Sequence, residues 1–153
     1  MNSVKYIYIA ESSDSSMVSM PSAELIAGQG VVGDRYFNGR GTFSKKLLGL
    51  PDVELTLIES EEIDSFNEKF NYQFGYGEFR RNIITAGVRL NDLEGKEFSI
   101  GNIRLKGIRL CEPCAHLANI VTQDIIPELT HRTGLRPQIL LGGTVKVGDQ
   151  FET

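Results

Sequence analysis

The sequence predicts a mainly β fold, a β-rich α+β arrangement in which short strands form a small barrel or sandwich with a few short helices. Three observations predict it. Seven or so short runs are rich in β-branched and aromatic residues, 16 glycines punctuate the 153 residues, and helical periodicity surfaces only in brief stretches.

The elements follow in order. Val4–Ala10 (VKYIYIA) is a strand-length run closed by the polar break ESSDSS. Within Met17–Ile26, SAELIA fits one helical turn or a short strand. AGQGVVGD then places Gly28, Gly30 and Gly33 in the spacing G-x-G-x-x-G. A dinucleotide loop needs a helix directly after it and an acid about 20 residues on. DRYFNGRGTF follows instead, so the segment reads as a glycine-rich hairpin that carries Asp34, Arg35 and Arg40. Val53–Glu59 reads as a strand. SEEIDSFNEKF sets Ile63, Phe66 and Phe70 at helical spacing, with Ser60 as its cap. Phe79–Gly87 returns to strand, and KEFSIGNIRLKGIRL makes two strands joined at Gly101-Asn102. Pro113 suits the first turn of a helix over CAHLANIV. TQDIIPELTHR takes Thr122 as a cap and is disturbed by Pro127. Two short strands around Gly142-Gly143 close the chain.

Composition narrows the function. With 41% hydrophobic and 24% charged residues, the chain has an ordinary soluble make-up, and its length fits one domain, 1–153. No apolar run approaches the ~20 residues of a membrane span. The run in MNSVKYIYIAESSDSS is too short for a signal peptide, so a reducing cytoplasm is expected, where a structural disulfide is out of place. A net charge of −4 argues against nucleic-acid binding. Acids crowd Glu54–Glu68, as a solvated helix face or a docking face for a protein. Arg35, Arg40, Arg80, Arg81, Arg109 and Arg136 lie beside glycine, proline or cysteine, where they serve as surface charges or as clamps for a small anion. Adjacent strand residues point to opposite faces, so only one of Arg80 and Arg81 is expected to face any one pocket.

The reactive chemistry gathers in RLCEPCAHL. Cys111 and Cys114 are the two cysteines of the chain, and His116 follows two positions later. A C-x-x-C redox pair normally sits in a thioredoxin-like βαβ context, which is missing here. A structural zinc site needs four ligands, and His116 and His131 match no zinc spacing. Haem attachment needs the histidine directly after the second cysteine, where Ala115 stands. What survives is one activated thiolate, Cys114, placed in the first turn of a helix and near Arg109. Such a thiolate can ligate a soft metal, carry a persulfide or attack an electrophile. Cys111 reads as a buried small hydrophobe or a redox partner, and His116 as an auxiliary base or a packing residue.

The ordered blocks GVVGDRYFNGRG, FRRNIITAGVRLNDLEGKEFSIG, IRLKGIRLCEPCAHL and HRTGLRPQILLGGTVKVGD resemble a stand-alone MOSC domain across Val31–Asp149. This domain ends molybdenum-cofactor sulfurases and occurs alone in small bacterial proteins. The resemblance implies a β-rich fold related to the small barrel domain of pyruvate kinase. It also implies a pocket whose essential cysteine, here Cys114, binds molybdenum or carries sulfur. The family's Gly-Asp-Arg block falls on Gly33, Asp34 and Arg35, its Arg-Asn block on Arg81 and Asn82, and its late block on Gly134 and Arg136. Tyr36 stands where many members have histidine.

Under this resemblance the expected ligand is the molybdenum cofactor (molybdopterin) or a related small anion. Cys114 is the metal ligand, Arg35, Arg81 and Arg136 the phosphate clamp, and Asn82 the reader of the pterin edge. Cofactor sulfuration or transfer and reduction of N-hydroxylated compounds are the implied activities. No haem, flavin or NAD site is expected. The alternative is a metal-free persulfide carrier or dithiol protein, loaded by a pyridoxal-phosphate-dependent cysteine desulfurase. A molybdoenzyme is the other implied partner.

Overall fold

The computed structural model describes residues 2–42, 44, 50 and 53–153. Eleven strands are described: β1 Ser3–Ile9, β2 Val18–Met20, β3 Ser22–Ile26, β4 Gly30–Val31, β5 Leu57–Glu59, β6 Ile83–Ala86, β7 Glu97–Ile100, β8 Ile103–Leu110, β9 Leu135–Leu141, β10 Gly143–Lys146 and β11 Phe151–Glu152. Three helices accompany them: α1 Ser60–Phe70, α2 Ala115–Ile120 and α3 Ile125–Leu129. The β-rich fold class expected from the sequence is the one observed. Eight strands form a mixed sheet in the order β11-β7-β8-β9-β5-β6-β1-β2, and β10-β3-β4 form a second, three-stranded sheet. All pairs are antiparallel except β5 with β6, which α1 joins as a crossover.

The large sheet curls until its first and last strands meet. Val4 N–H donates to the Asp149 carbonyl at 2.9 Å, Phe151 N–H donates to Asn2 at 2.8 Å, and Ser3 and Gln150 form an isolated bridge. The expected barrel is not closed, because β11 is two residues long and pairs with β7, leaving β1 a single bridge.

Strand alternation divides the core. Leu57 and Ile83 join one cluster with Leu25, Phe98, Leu105 and Leu135, while their neighbours Ile58 and Ile84 join another with Ile63, Phe66, Leu117 and Leu129. The first cluster fills the space among strands of both sheets. The second holds the helices against β5 and β6. Phe66 anchors it, with rings of Phe70, Tyr72, Phe74 and Phe79 between 5.0 and 6.5 Å away.

Several element ends differ from expectation. The strand expected over Phe79–Gly87 is Ile83–Ala86, because a 3-10 turn occupies Tyr76–Phe79 and Arg80 takes a left-handed conformation, φ 59°. The strand expected over Val53–Glu59 narrows to β5. Ser60 is the first residue of α1 and makes no capping bond; Glu59 holds the cap position. Asp124, not Thr122, precedes α3, and Pro127 is tolerated because it falls in the first turn. The first five residues of SAELIA are strand β3, and Ala27 begins the turn. The glycine-rich stretch is the β3–β4 hairpin, with Gly28 and Gly30 at φ 79° and 118°.

Candidate functional site

Five stretches converge on one cleft: the turn after β4, the residues just before β5, those just before β6, the Cys111–Leu117 segment and the start of β9. The cleft is narrow, with a cavity volume of about 30 Å³, and is lined by Arg35, Tyr36, Thr42, Thr56, Arg80, Arg81, Cys114, His116, Leu117 and Arg136. No carboxylate stands among these residues.

The turn after β4 sets Arg35. Gly33 has φ 86°, and Asp34 beyond it is fully buried. One Asp34 oxygen accepts Ala10 N–H at 3.1 Å and the Arg35 guanidinium at 3.0 Å, and the other accepts Tyr36 N–H at 3.3 Å. Arg35 also donates to the Arg80 carbonyl at 2.9 Å, and its cation lies 4.9 Å from the Tyr36 ring centre. Asp34 and Gly33 therefore build the cleft wall from behind and do not line it.

Arg80 and Arg81 both line the cleft. Strand alternation had pointed to only one of them, but both precede β6, and the left-handed Arg80 breaks the alternation. Arg80 donates to the carbonyls of Ser15 at 2.7 Å and Ser12 at 3.1 Å, so it pins the serine-rich loop after β1. Arg81 is 7% exposed. Its guanidinium donates to Thr133 at 2.9 Å and to Phe79, Cys111 and Glu112 at 3.4 Å, all main-chain carbonyls. Burial lowers the proton affinity of Arg81; the thiols of Cys111 and Cys114 oppose that shift, and Arg136 and Arg35 add to it. A guanidinium stays protonated in proteins, so the wall keeps the charge of Arg81 beside that of Arg35, whose carboxylate partner is Asp34. Arg136, on β9, faces the same space, 6.0 Å from the Tyr36 ring centre.

Asn82 departs from its expected role of reading a ligand edge. Its side-chain oxygen accepts the amide and hydroxyl of Thr56 at 3.1 and 3.2 Å, and its amide donates to the Tyr8 carbonyl at 3.1 Å. It ties three segments together behind the cleft. Gly134 also lies behind it: its φ is 109°, and a Cβ there would stand 1.7 Å from the Leu57 carbonyl oxygen.

Both cysteines are free. Cys114 caps α2 rather than lying in its first turn, because the helix starts at Ala115; its sulfur accepts Leu117 N–H at 3.5 Å. Half-buried, it lines the cleft. Cys111 is 1% exposed and lies outside the lining, its carbonyl receiving the Thr133 hydroxyl and Arg81. Glu112 engages His131: it accepts the backbone N–H of His131 at 2.6 Å and pairs with the ring Nδ1. His116 lines the cleft, and its Nε2 is buried without a hydrogen-bond partner. Among the described residues no three His, Cys, Asp or Glu side chains gather to hold a metal ion. Thr42, Thr56 and Leu117 were not singled out by sequence reasoning, since only the fold brings them to the cleft.

Solved structures share this fold. The YuaD protein from Bacillus subtilis superposes with a TM-score of 0.84 at 16% identity, covering 99% of this chain and 94% of that one. YiiM from Geobacillus stearothermophilus gives 0.76 at 14% identity, covering 99% and 74%. YiiM from Escherichia coli gives 0.66 at 18% identity, covering 99% and 69%. No curated protein matches the sequence. The profile of the MOSC domain matches residues 44–152, so it begins after the Gly33–Tyr36 turn and includes Arg81, Cys114 and Arg136. That match spans well over half of the chain, and the chain belongs to the MOSC domain family.

Proposed function

We propose that the cleft binds the molybdenum cofactor, with the Cys114 thiolate as protein ligand to the metal and the arginine-lined wall facing the phosphate. The MOSC family is associated with molybdenum cofactor sulfurase-like function. One observation carries the reading for this chain: a single half-buried thiol shares a cleft with four arginines and no carboxylate. That donor set fits the cofactor. A thiolate suits a soft metal, and guanidiniums suit a phosphate. When bound, the group supplies a molybdenum centre able to exchange electrons, oxygen or sulfur with a substrate.

The protein's own contribution is placement and field. Leu117 N–H holds the Cys114 sulfur, and Asp34 aims Arg35. Arg81 donates to the carbonyls of Cys111 and Glu112 and so fixes the segment that carries the thiol. Leu117 and Tyr36 supply the apolar surface of the cleft.

A second reading, a metal-free carrier of persulfide sulfur loaded by a cysteine desulfurase, uses the same Cys114. Both cysteines are free, as a carrier thiol requires. Mass measurement separates the two. Protein purified without oxygen from a host that makes molybdenum cofactor is expected to carry an adduct of cofactor mass in the native state, lost on denaturation. Cys114→Ser is expected to reduce retention at least tenfold. Retention at the wild-type level defeats the ligand assignment, and a species one sulfur heavier without the adduct turns the reading to the carrier.

A further inference from the structure

Among the described residues, one buried side-chain nitrogen or oxygen lacks a hydrogen-bond partner, and it is Nε2 of His116. Buried polar atoms in folded proteins are nearly always paired, so an orphan calls for an explanation. This one belongs to a residue that lines the cleft. We propose that His116 is a ligand-contacting residue: the residue lines the cleft, and its Nε2, covered in the ligand-free protein, turns to hydrogen-bond the molecule held there, selecting one that presents an oxygen or nitrogen at that point. The inference rests on the cleft being the ligand site, as argued above, and adds a contact that its arginines and thiol do not provide.

The neighbouring polar groups show why His116 stands apart. Arg35 is engaged with Asp34 and the Arg80 carbonyl, and Arg80 with Ser12 and Ser15. Arg81 is engaged with four carbonyls, and the Thr56 hydroxyl with Asn82. These groups shape the cleft and give it charge, but the protein already takes up the hydrogen bonds described for them. Guanidinium groups can only donate. An imidazole nitrogen donates or accepts according to its tautomer, so His116 adds a second kind of polar contact.

The position of the ring is set by neighbours that pack for other reasons. His116 is the second residue of α2, and the Cys114 carbonyl accepts Ala118 N–H at 2.9 Å to close the turn around it. Leu117 and Ala118, the next two residues, are buried in the helix-side core. The backbone that carries the ring is thus tied to the backbone that carries the thiol.

The test uses the full chain labelled with 15N-histidine, titrated separately with molybdate and phosphate and followed by long-range proton–nitrogen spectra. The chain has two histidines, and His131, exposed and bonded to Glu112, serves as the internal control. The Nε2 resonance of His116 is expected to move to saturation with each probe that binds, while that of His131 stays in place. By calorimetry, His116→Leu is expected to weaken binding of the same probe about tenfold, and His116→Gln, which restores a polar group near Nε2, to recover most of it. A probe that binds without moving Nε2 overturns the inference and leaves the anion site standing. His116→Leu binding like the wild type has the same meaning. If neither probe binds, the anion reading of the cleft falls, and this inference falls with it. Should the leucine variant fail to fold, the wild-type spectra still decide.

Discussion

Arg81 holds its place through main-chain oxygens rather than through an acid. Its planar fork reaches the carbonyls of Thr133, Phe79, Cys111 and Glu112, which lie on three different stretches of chain. Lysine carries the same charge on a compact head and cannot address carbonyls spread around a plane. Arg81→Lys therefore leaves buried acceptors unpaired and is expected to lower stability by about 2 kcal/mol, read from the urea midpoint. A second readout follows from the cysteines. In the native wild type, an alkylating reagent is expected to modify Cys114 and spare Cys111, which is 1% exposed. Arg81→Lys is expected to release Cys111 to the reagent at low denaturant. An unchanged midpoint with one reactive thiol would sink the assignment. The roles of these arginines were only partly legible in the sequence. That arginines beside turns clamp something was readable, whereas the oxygens they reach depend on chain crossings that no local pattern encodes. The left-handed turn at Arg80, which puts two adjacent guanidiniums on one cleft, also carries no residue signature, since arginine is no usual occupant of that conformation.

At the scale of elements, β5 and β9 touch at a single register pair, Leu57 with Leu135, and Gly134 is what lets them approach. The Gly134 carbonyl accepts Cys111 N–H at 2.7 Å, so the same residue fastens the cysteine segment to the start of β9. Alanine at this position meets two obstacles: a φ of 109°, and the Leu57 carbonyl oxygen 1.7 Å from the new Cβ. Neither can relax by turning a side chain, because the obstructing atom is backbone. Gly134→Ala is expected to cost about 3 kcal/mol or more, seen as a large drop in the denaturation midpoint. A change within about 0.5 kcal/mol would mean that the two strands separate easily and that the junction does not hold the site. Strand identity was legible at this scale. Val4–Ala10, the Gly101-Asn102 hairpin and the pair around Gly142-Gly143 all emerge from β-branched runs and turn residues, because both signals are local. The order of strands was not, since the contact of residue 57 with residue 134 has no trace in either neighbourhood. Barrel closure was over-read for a similar reason: the shortness of β11, which leaves β1 one bridge, hides inside an ordinary V-x-V-G-D-x-F-E pattern.

For the molecule as a whole, one acid joins the two sheets. Glu54 is 3% exposed; its carboxylate accepts Gly28 N–H at 2.6 Å from the β3–β4 hairpin, and the backbone of Ile139 on β9 also favours its charged form. Burial raises its proton affinity above the ordinary carboxylate value of 4.5, and the backbones of Gly28 and Ile139 pull it back only in part. Glu59 is shifted the same way, first by burial and then by the charges of Glu62 and Glu61, with Leu90 N–H opposing. For an acid whose folded value is raised, the folded state holds the proton more tightly than the unfolded chain. Its contribution to stability is fully present below the unfolded value and is lost as pH climbs through the raised folded value. Glu54 therefore makes the sheet junction weaker at pH 8 than at pH 5. Glu54→Gln removes that dependence while keeping one oxygen for Gly28, at the loss of the second carboxylate oxygen. The variant is expected to melt below the wild type at pH 5, and the gap is expected to narrow steadily by pH 8. Parallel melting temperatures across that range would show that Glu54 has the same proton affinity folded and unfolded, and that the acid between the sheets is only a hydrogen-bond acceptor.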